Sequence, residues 1–216
     1  MTDKKTFVIG DIHGCYGALK ALLEKINPDP DHDTLVFLGD YIDRGPDSKK
    51  VVSEVIDLQQ SFPRVITLMG NHEQMFLSVL AGEKYNFFLQ MGGDKTLNSY
   101  NITPPYSQNI FEHIPLEHIH FFQNLLLLWE DEHYIYVHAG LEPGIHLSQQ
   151  SAHWCCWART NFIYSEFDFG KRVVFGHTPF EKPYIDQYKI GIDTGKVYGG
   201  ELTCLVLPDM EFVKAT

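Results

Sequence analysis

At 216 residues, 44% of them hydrophobic, the chain is long enough to bury a sizeable core and reads as one domain over 1–216. Its net charge of −11 argues against a nucleic-acid surface built on counterion release, and no apolar stretch approaches the length of a bilayer span. Four cysteines, at 15, 155, 156 and 204, lack disulfide-framework or zinc-ribbon spacing, and the opening MTDKKTFVIG has no signal-peptide architecture, so a cytoplasmic protein with reduced thiols is expected.

The first half alternates. Strand-like runs at 6–9 (TFVI), 34–38 (TLVFL) and 64–69 (RVITLM) are separated by amphipathic segments at 15–26 and 47–60, where Val51, Val52, Val55, Ile56 and Leu58 keep near-helical spacing. This spacing predicts βαβ units and a mainly parallel sheet, with a further helix over 72–81. Residues 83–123 read as helical and irregular, with turn signals at Gly92-Gly93 and Pro104-Pro105. "NLLLLWE" and "HYIYVHAG", split by Asp131-Glu132, predict an antiparallel hairpin. Three more strands are predicted in "RVVFGH", "KIGIDT" and "LTCLVL".

The chemistry gathers where these strands end. The first ends in Gly10-Asp11-Ile12-His13-Gly14, the second in Gly39-Asp40-Tyr41-Ile42-Asp43-Arg44-Gly45, and the third in Gly70-Asn71-His72-Glu73. Val137-His138-Ala139-Gly140 and Gly176-His177-Thr178 follow later strands. One such end is an ordinary helix cap or loop. Five Gly-flanked ends carrying Asp, Asn or His form a pattern, because parallel strands present their carboxyl ends along one edge, where open α/β sheets bind ligands.

The set Asp11, His13, Asp40, Asn71, His138 and His177 offers nitrogen and oxygen without thiolate, which suits Mn²⁺, with Fe or Zn²⁺ as alternatives. Six ligands exceed one tetrahedral zinc site and fit two divalent ions bridged by a carboxylate. Two such ions would offset about four of the negative charges. "HEQMF" has Phe76 where a zinc protease has its second His, and "GIDTGKV" lacks phosphate-loop spacing.

Together "GDIHG", "GDYIDRG", "GNHE", "VHAG" and "FGHTP" resemble the PPP-type metallophosphatases, the Ser/Thr protein phosphatase family, with the short phage-lambda and bacterial enzymes nearest in appearance. The resemblance covers most of the chain and is weakest from about 84 to 125. It implies an α/β (mixed α+β) calcineurin-like metallophosphoesterase fold, a central β-sandwich of mixed sheets flanked by helices. It places Asp11 and His13 on one metal, Asp40 between two, and Asn71, His138 and His177 on the other. The implied reaction is hydrolysis of phosphoserine or phosphothreonine monoesters, with phosphotyrosine as a side activity, by direct attack of a hydroxide shared between the ions. Arg44 and Arg159, the latter in "WCCWARTNF", would bind phosphate oxygens. His72 would protonate the leaving group, oriented by Asp43, and Glu73 would support the loop.

The implied partners are phosphoprotein or phosphopeptide substrates of a monomeric enzyme, without nucleic acid or membrane. The diadenosine tetraphosphatases are the alternative on the same scaffold. Asp43 and Glu73, and a length shorter than expected for that branch, favour the protein phosphatases.

Overall fold

The computed structural model describes residues 4–83, 85–104 and 110–216, so Pro105 of the Pro104-Pro105 turn signal lies outside the described residues. The strands are β1 (Thr6–Ile9), β2 (Thr34–Phe37), β3 (Val65–Thr67), β4 (Leu128–Glu130), β5 (Tyr134–Val137), β6 (Arg172–Phe175), β7 (Tyr184–Ile185), β8 (Lys189–Gly191), β9 (Leu202–Leu207) and β10 (Glu211–Ala215). They form two mixed five-stranded sheets, ordered β10-β9-β1-β2-β3 and β4-β5-β6-β8-β7. In the first, β1, β2 and β3 are parallel, with Val8 opposite Val36 and Val36 opposite Ile66, and β9 runs antiparallel beside β1. In the second, β5, β6 and β8 are parallel.

Period-two alternation sorts the strand residues into layers. Val8, Val36 and Leu38 pack against Tyr136, Val174 and Ile190 of the other sheet, and this cluster is the filling of a sandwich. Their neighbours Phe7, Ile9, Leu35 and Phe37 point outward to helices. Each fully buried aliphatic residue in the filling contributes about 1.5–3 kcal/mol.

The outer face of the first sheet is covered by α1 (Tyr16–Ile26), α2 (Ser48–Ser61), α3 (Asn71–Leu80) and, after the short helices α4 (Tyr85–Phe88), α5 (Asp94–Ser99) and α6 (Ile110–His113), by α7 (Leu116–Gln123). Ala18, Leu19, Leu22 and Ile26 bury one face of α1, and Asn27 ends it in the left-handed conformation at φ 39°. Val51, Val52 and Val55 do the same for α2, which stops at Phe62, the residue before Pro63. The second sheet is covered by α8 (Ala152–Trp157) and α9 (Thr160–Ile163).

The hairpin is shorter than its apolar run. Only Leu128–Glu130 pairs with β5, because Leu126 forms a parallel bridge with Leu68 at the edge of the first sheet before the chain crosses to the second. β7 and β10 carry no predicting pattern: β7 has two residues, and "EFVKA" reads as half-polar. No helix among the described residues is long and apolar enough to cross a membrane.

Candidate metal centre

The carboxyl ends of both sheets converge. From the first come Asp11 and His13 after β1, Asp40 after β2 and Asn71 after β3; from the second come His138 after β5 and His177 after β6. The loops are clipped together by backbone bonds, with Ile12 and His13 N–H both donating to the Asp40 carbonyl (3.1 and 2.8 Å) and Gly176 N–H donating to that of His138 (2.7 Å). Their conformations are costly. Eight non-glycine residues among those described have positive φ, and five are His13, Asp40, Asp43, Arg44 and His177. Strain of about 1–3 kcal/mol each persists only where the surroundings enforce it, and it concentrates at functional sites. Gly70 is required by close approach, since a Cβ there would lie 2.1 Å from Asp40 Oδ1.

Ligand atoms meet in two buried groups, His13–Asp40–His72 and Asp40–His138–His177, each within 4.8 Å internally and sharing Asp40. His13 Nδ1 donates to the Ile42 carbonyl (2.9 Å) and His138 Nδ1 to that of Leu38 (3.0 Å), which leaves each Nε2 with a lone pair facing the site. His138 Nε2 lies 3.2 Å from both Asn71 Oδ1 and His177 Nδ1. Asp40 offers Oδ2 toward His13 (3.4 Å) and Oδ1 toward His138 (3.5 Å), the placement a bridging carboxylate needs. Asp11 is set differently from the simple pairing with His13. Both its oxygens accept from the His177 backbone N–H (3.2 and 3.0 Å), tying the two sheets together.

Electrostatics fit bound cations. Burial lowers the imidazole pKa of His13 to about 3 and that of His177 to about 2, and lowers His138 as well, so all three keep the neutral form that binds metal. Burial opposes the charge on Asp40, but the imidazoles of His138, His72, His13 and His177 around it hold its carboxyl well below the usual range. Burial and the carboxylates of Asp193 and Asp40 push Asp11 well up. Burial, with the Asp40 carboxylate beside it, raises Asp193 to about 6, against the bond it accepts from the Gly195 N–H. Three buried carboxylates this close carry more negative charge than the surrounding imidazoles offset, and nitrogen–oxygen donor groups sharing one carboxylate are the chemistry that two divalent ions take.

Both predicted arginines are here. Arg44 Nη1 donates to His13 Nε2 (2.5 Å) and Arg159 Nε to His177 Nε2 (3.2 Å), one at each ligand group. His72 is fully buried, with Nδ1 bonded to Asp43 Oδ2 at 2.6 Å and Nε2 without a hydrogen-bond partner. Burial raises the Asp43 carboxyl, while its bonds to His72 and Thr96 pull it down. Glu73 supports the loop, as expected: Oε2 accepts from Asp40 and Gly70 N–H, and Oε1 from Tyr41 and Ile42 N–H.

Three neighbours escaped the sequence reading. Asp193 follows β8 in "GIDTG", the same Gly-flanked strand-end acid as the others, and that signal could have found it. Thr96, whose hydroxyl donates to Asp43 Oδ1 (2.6 Å), comes from the weakly patterned middle and leaves no such trace. Trp157 Nε1 donates to Gln74 Oε1 (2.6 Å) beside the site, and two residues from Arg159 it reads as an ordinary core aromatic.

The profile of the calcineurin-like phosphoesterases matches residues 4–181. The bis(5'-nucleosyl)-tetraphosphatase PrpE (asymmetrical) of Bacillus cereus is 29% identical, with 95% of this chain and 92% of that protein covered. Its counterpart in Bacillus anthracis is 28% identical over the same shares. A solved structure described as a putative diadenosine tetraphosphatase superposes with TM-score 0.74 at 24% identity, covering 99% of this chain and 94% of that one. A cold-active protein-tyrosine phosphatase from a psychrophilic Shewanella superposes with TM-score 0.70 at 21% identity, covering 100% and 83%. At these identities the superpositions show the fold, the mixed two-sheet arrangement of the calcineurin-like metallophosphoesterases.

These matches correct two expectations. The tetraphosphatases named PrpE overturn the assignment of phosphoproteins or phosphopeptides as partners. Length fails as a discriminator, because the chain covers 92% of the PrpE protein.

Proposed function

We propose that this chain, which belongs to the calcineurin-like phosphoesterase family, hydrolyses dinucleoside tetraphosphates asymmetrically, using two divalent cations of which Mn²⁺ is the foremost activator. The observation that carries the reading is the alignment of named tetraphosphatases over 95% of the chain. The site supports the chemistry. Asp11, His13, Asp40, Asn71, His138 and His177 would hold the ions, which when bound supply positive charge to phosphate oxygens and acidify water.

The remaining work falls to the chain. Arg44 and Arg159, one at each ligand group, bind phosphate oxygens along the polyphosphate with planar donor forks. His72 turns its unpartnered Nε2 toward the leaving oxygen, and Asp43 fixes the ring by holding the Nδ1 proton. Thr96 in turn fixes Asp43.

The test compares kcat/KM for diadenosine tetraphosphate and a phosphoserine peptide, both with Mn²⁺. The dinucleotide is expected to win by more than tenfold, about 1.4 kcal/mol in transition-state binding, with AMP and ATP as products. A tenfold preference for the peptide, or ADP as the sole nucleotide product, overturns the proposal.

A further inference from the structure

An aromatic wall stands beside the His177 group. Trp157 lies 6.5 Å from the His177 ring, centroid to centroid, and two residues before Arg159, whose Nε donates to that same imidazole. Its indole is held by Nε1–H to Gln74 Oε1, and Gln74 is on α3 two residues after His72. Phe87 stacks on it at 6.4 Å and 29°, yet is 44% exposed. A cavity of about 400 Å³ opens between Phe87, Trp157 and His153. Trp157 and His153 also line a second cavity of about 280 Å³ on the side of Arg159. Nothing in the hydrolytic chemistry uses this wall. A rigid, partly buried indole with a polar rim and an arginine next to it is what a nucleobase needs.

We propose that Trp157, backed by Phe87, is the platform for one nucleobase of the substrate, and that its closeness to the His177 group fixes where the chain is cut. The proposal rests on the dinucleoside polyphosphate reading. A base lying on Trp157 has only its own ribose between it and Arg159, so the first phosphate reaches the ligand groups while the second extends toward Arg44. Hydrolysis there joins the water oxygen to the first phosphorus and breaks its bond to the bridging oxygen, which leaves on the nucleoside triphosphate. The mononucleotide takes the oxygen of water, and the proton released passes to solvent.

The experiment uses the full chain with Mn²⁺. Trp157→Ala and Phe87→Ala are each expected to raise KM for diadenosine tetraphosphate about 5- to 100-fold, the usual effect of losing a base–aromatic stack. On p-nitrophenyl phosphate, which has no base, the change should stay within about twofold. Trp157→Phe should restore KM to within a few-fold. Phe87→Ala is the safeguard if Trp157→Ala does not fold, because Phe87 is 44% exposed and lies outside the buried core. Independently of turnover, AMP should quench tryptophan fluorescence in metal-depleted wild type, and Trp157→Phe should lose most of that quench.

Unchanged KM for the dinucleotide in both alanine variants, with wild type active on it, overturns the platform. A wild type inactive on the dinucleotide sinks the parent reading instead. AMP quenching lost in Trp157→Phe would still support the platform in that case, and quenching retained there would overturn it.

Discussion

Glu73→Gln separates an ionised from a protonated buried carboxyl beneath the metal loops. Glu73 is fully buried and its two oxygens take four backbone donors: Asp40 (2.8 Å) and Gly70 (3.0 Å) on Oε2, Tyr41 (2.9 Å) and Ile42 (3.3 Å) on Oε1. Burial and the Asp40 charge push its carboxyl well up, opposed by the bond from the Asp40 N–H. Four backbone donors on two oxygens match the acceptor capacity of an ionised carboxylate and favour that form against this push. Glutamine keeps the shape and turns one acceptor into a donor. Whichever oxygen is replaced, two buried N–H groups lose their partner, at about 1–3 kcal/mol each, or about 2–6 kcal/mol together. Against a typical domain stability of about 5–15 kcal/mol, that is a large fraction. Urea denaturation with an unchanged slope should show it as a lower midpoint. A loss below about 0.5 kcal/mol would mean that one oxygen already carries a proton, and the argument from donor count would be wrong.

Elemental analysis should find two divalent ions per active chain, and activity saturating at one would remove the bridging role from Asp40. Arg159→Ala should keep the metals and raise KM for the dinucleotide and Ki for free phosphate together; unchanged phosphate inhibition would free Arg159 from phosphate binding. His72→Asn should lower kcat by about 10²–10⁴ on an alkyl phosphomonoester, whose alkoxide needs a proton. The loss should be much smaller on the dinucleotide, whose triphosphate leaves as a stabilised anion. Equal losses on both would take His72 out of the acid role.

The candidate ligand residues were legible in the chain because each strand that ends at the site announces itself twice, by a short continuous apolar run and by a Gly-flanked polar break. That is local information, and it yielded Asp11, His13, Asp40, Asn71, His138 and His177, as well as β1, α1, β2, α2, β3 and α3 in order. Recognition of the linked motifs added Arg44, Asp43, His72 and Arg159. Other features depend on contacts between segments far apart in sequence. The two sheets stack so that both sets of strand ends face one point, joined by Asp11 accepting from His177 166 positions away. Thr96 reaches Asp43 from 53 positions away, and Trp157 meets Gln74 and Phe87 only after α8 docks beside α3. No short window carries such pairings, since an indole or a threonine has the same local signature in a core as in a cleft. Substrate class followed the same division: the phosphoesterase centre is written in the loops, while the aromatic wall proposed to hold a nucleobase is assembled by packing.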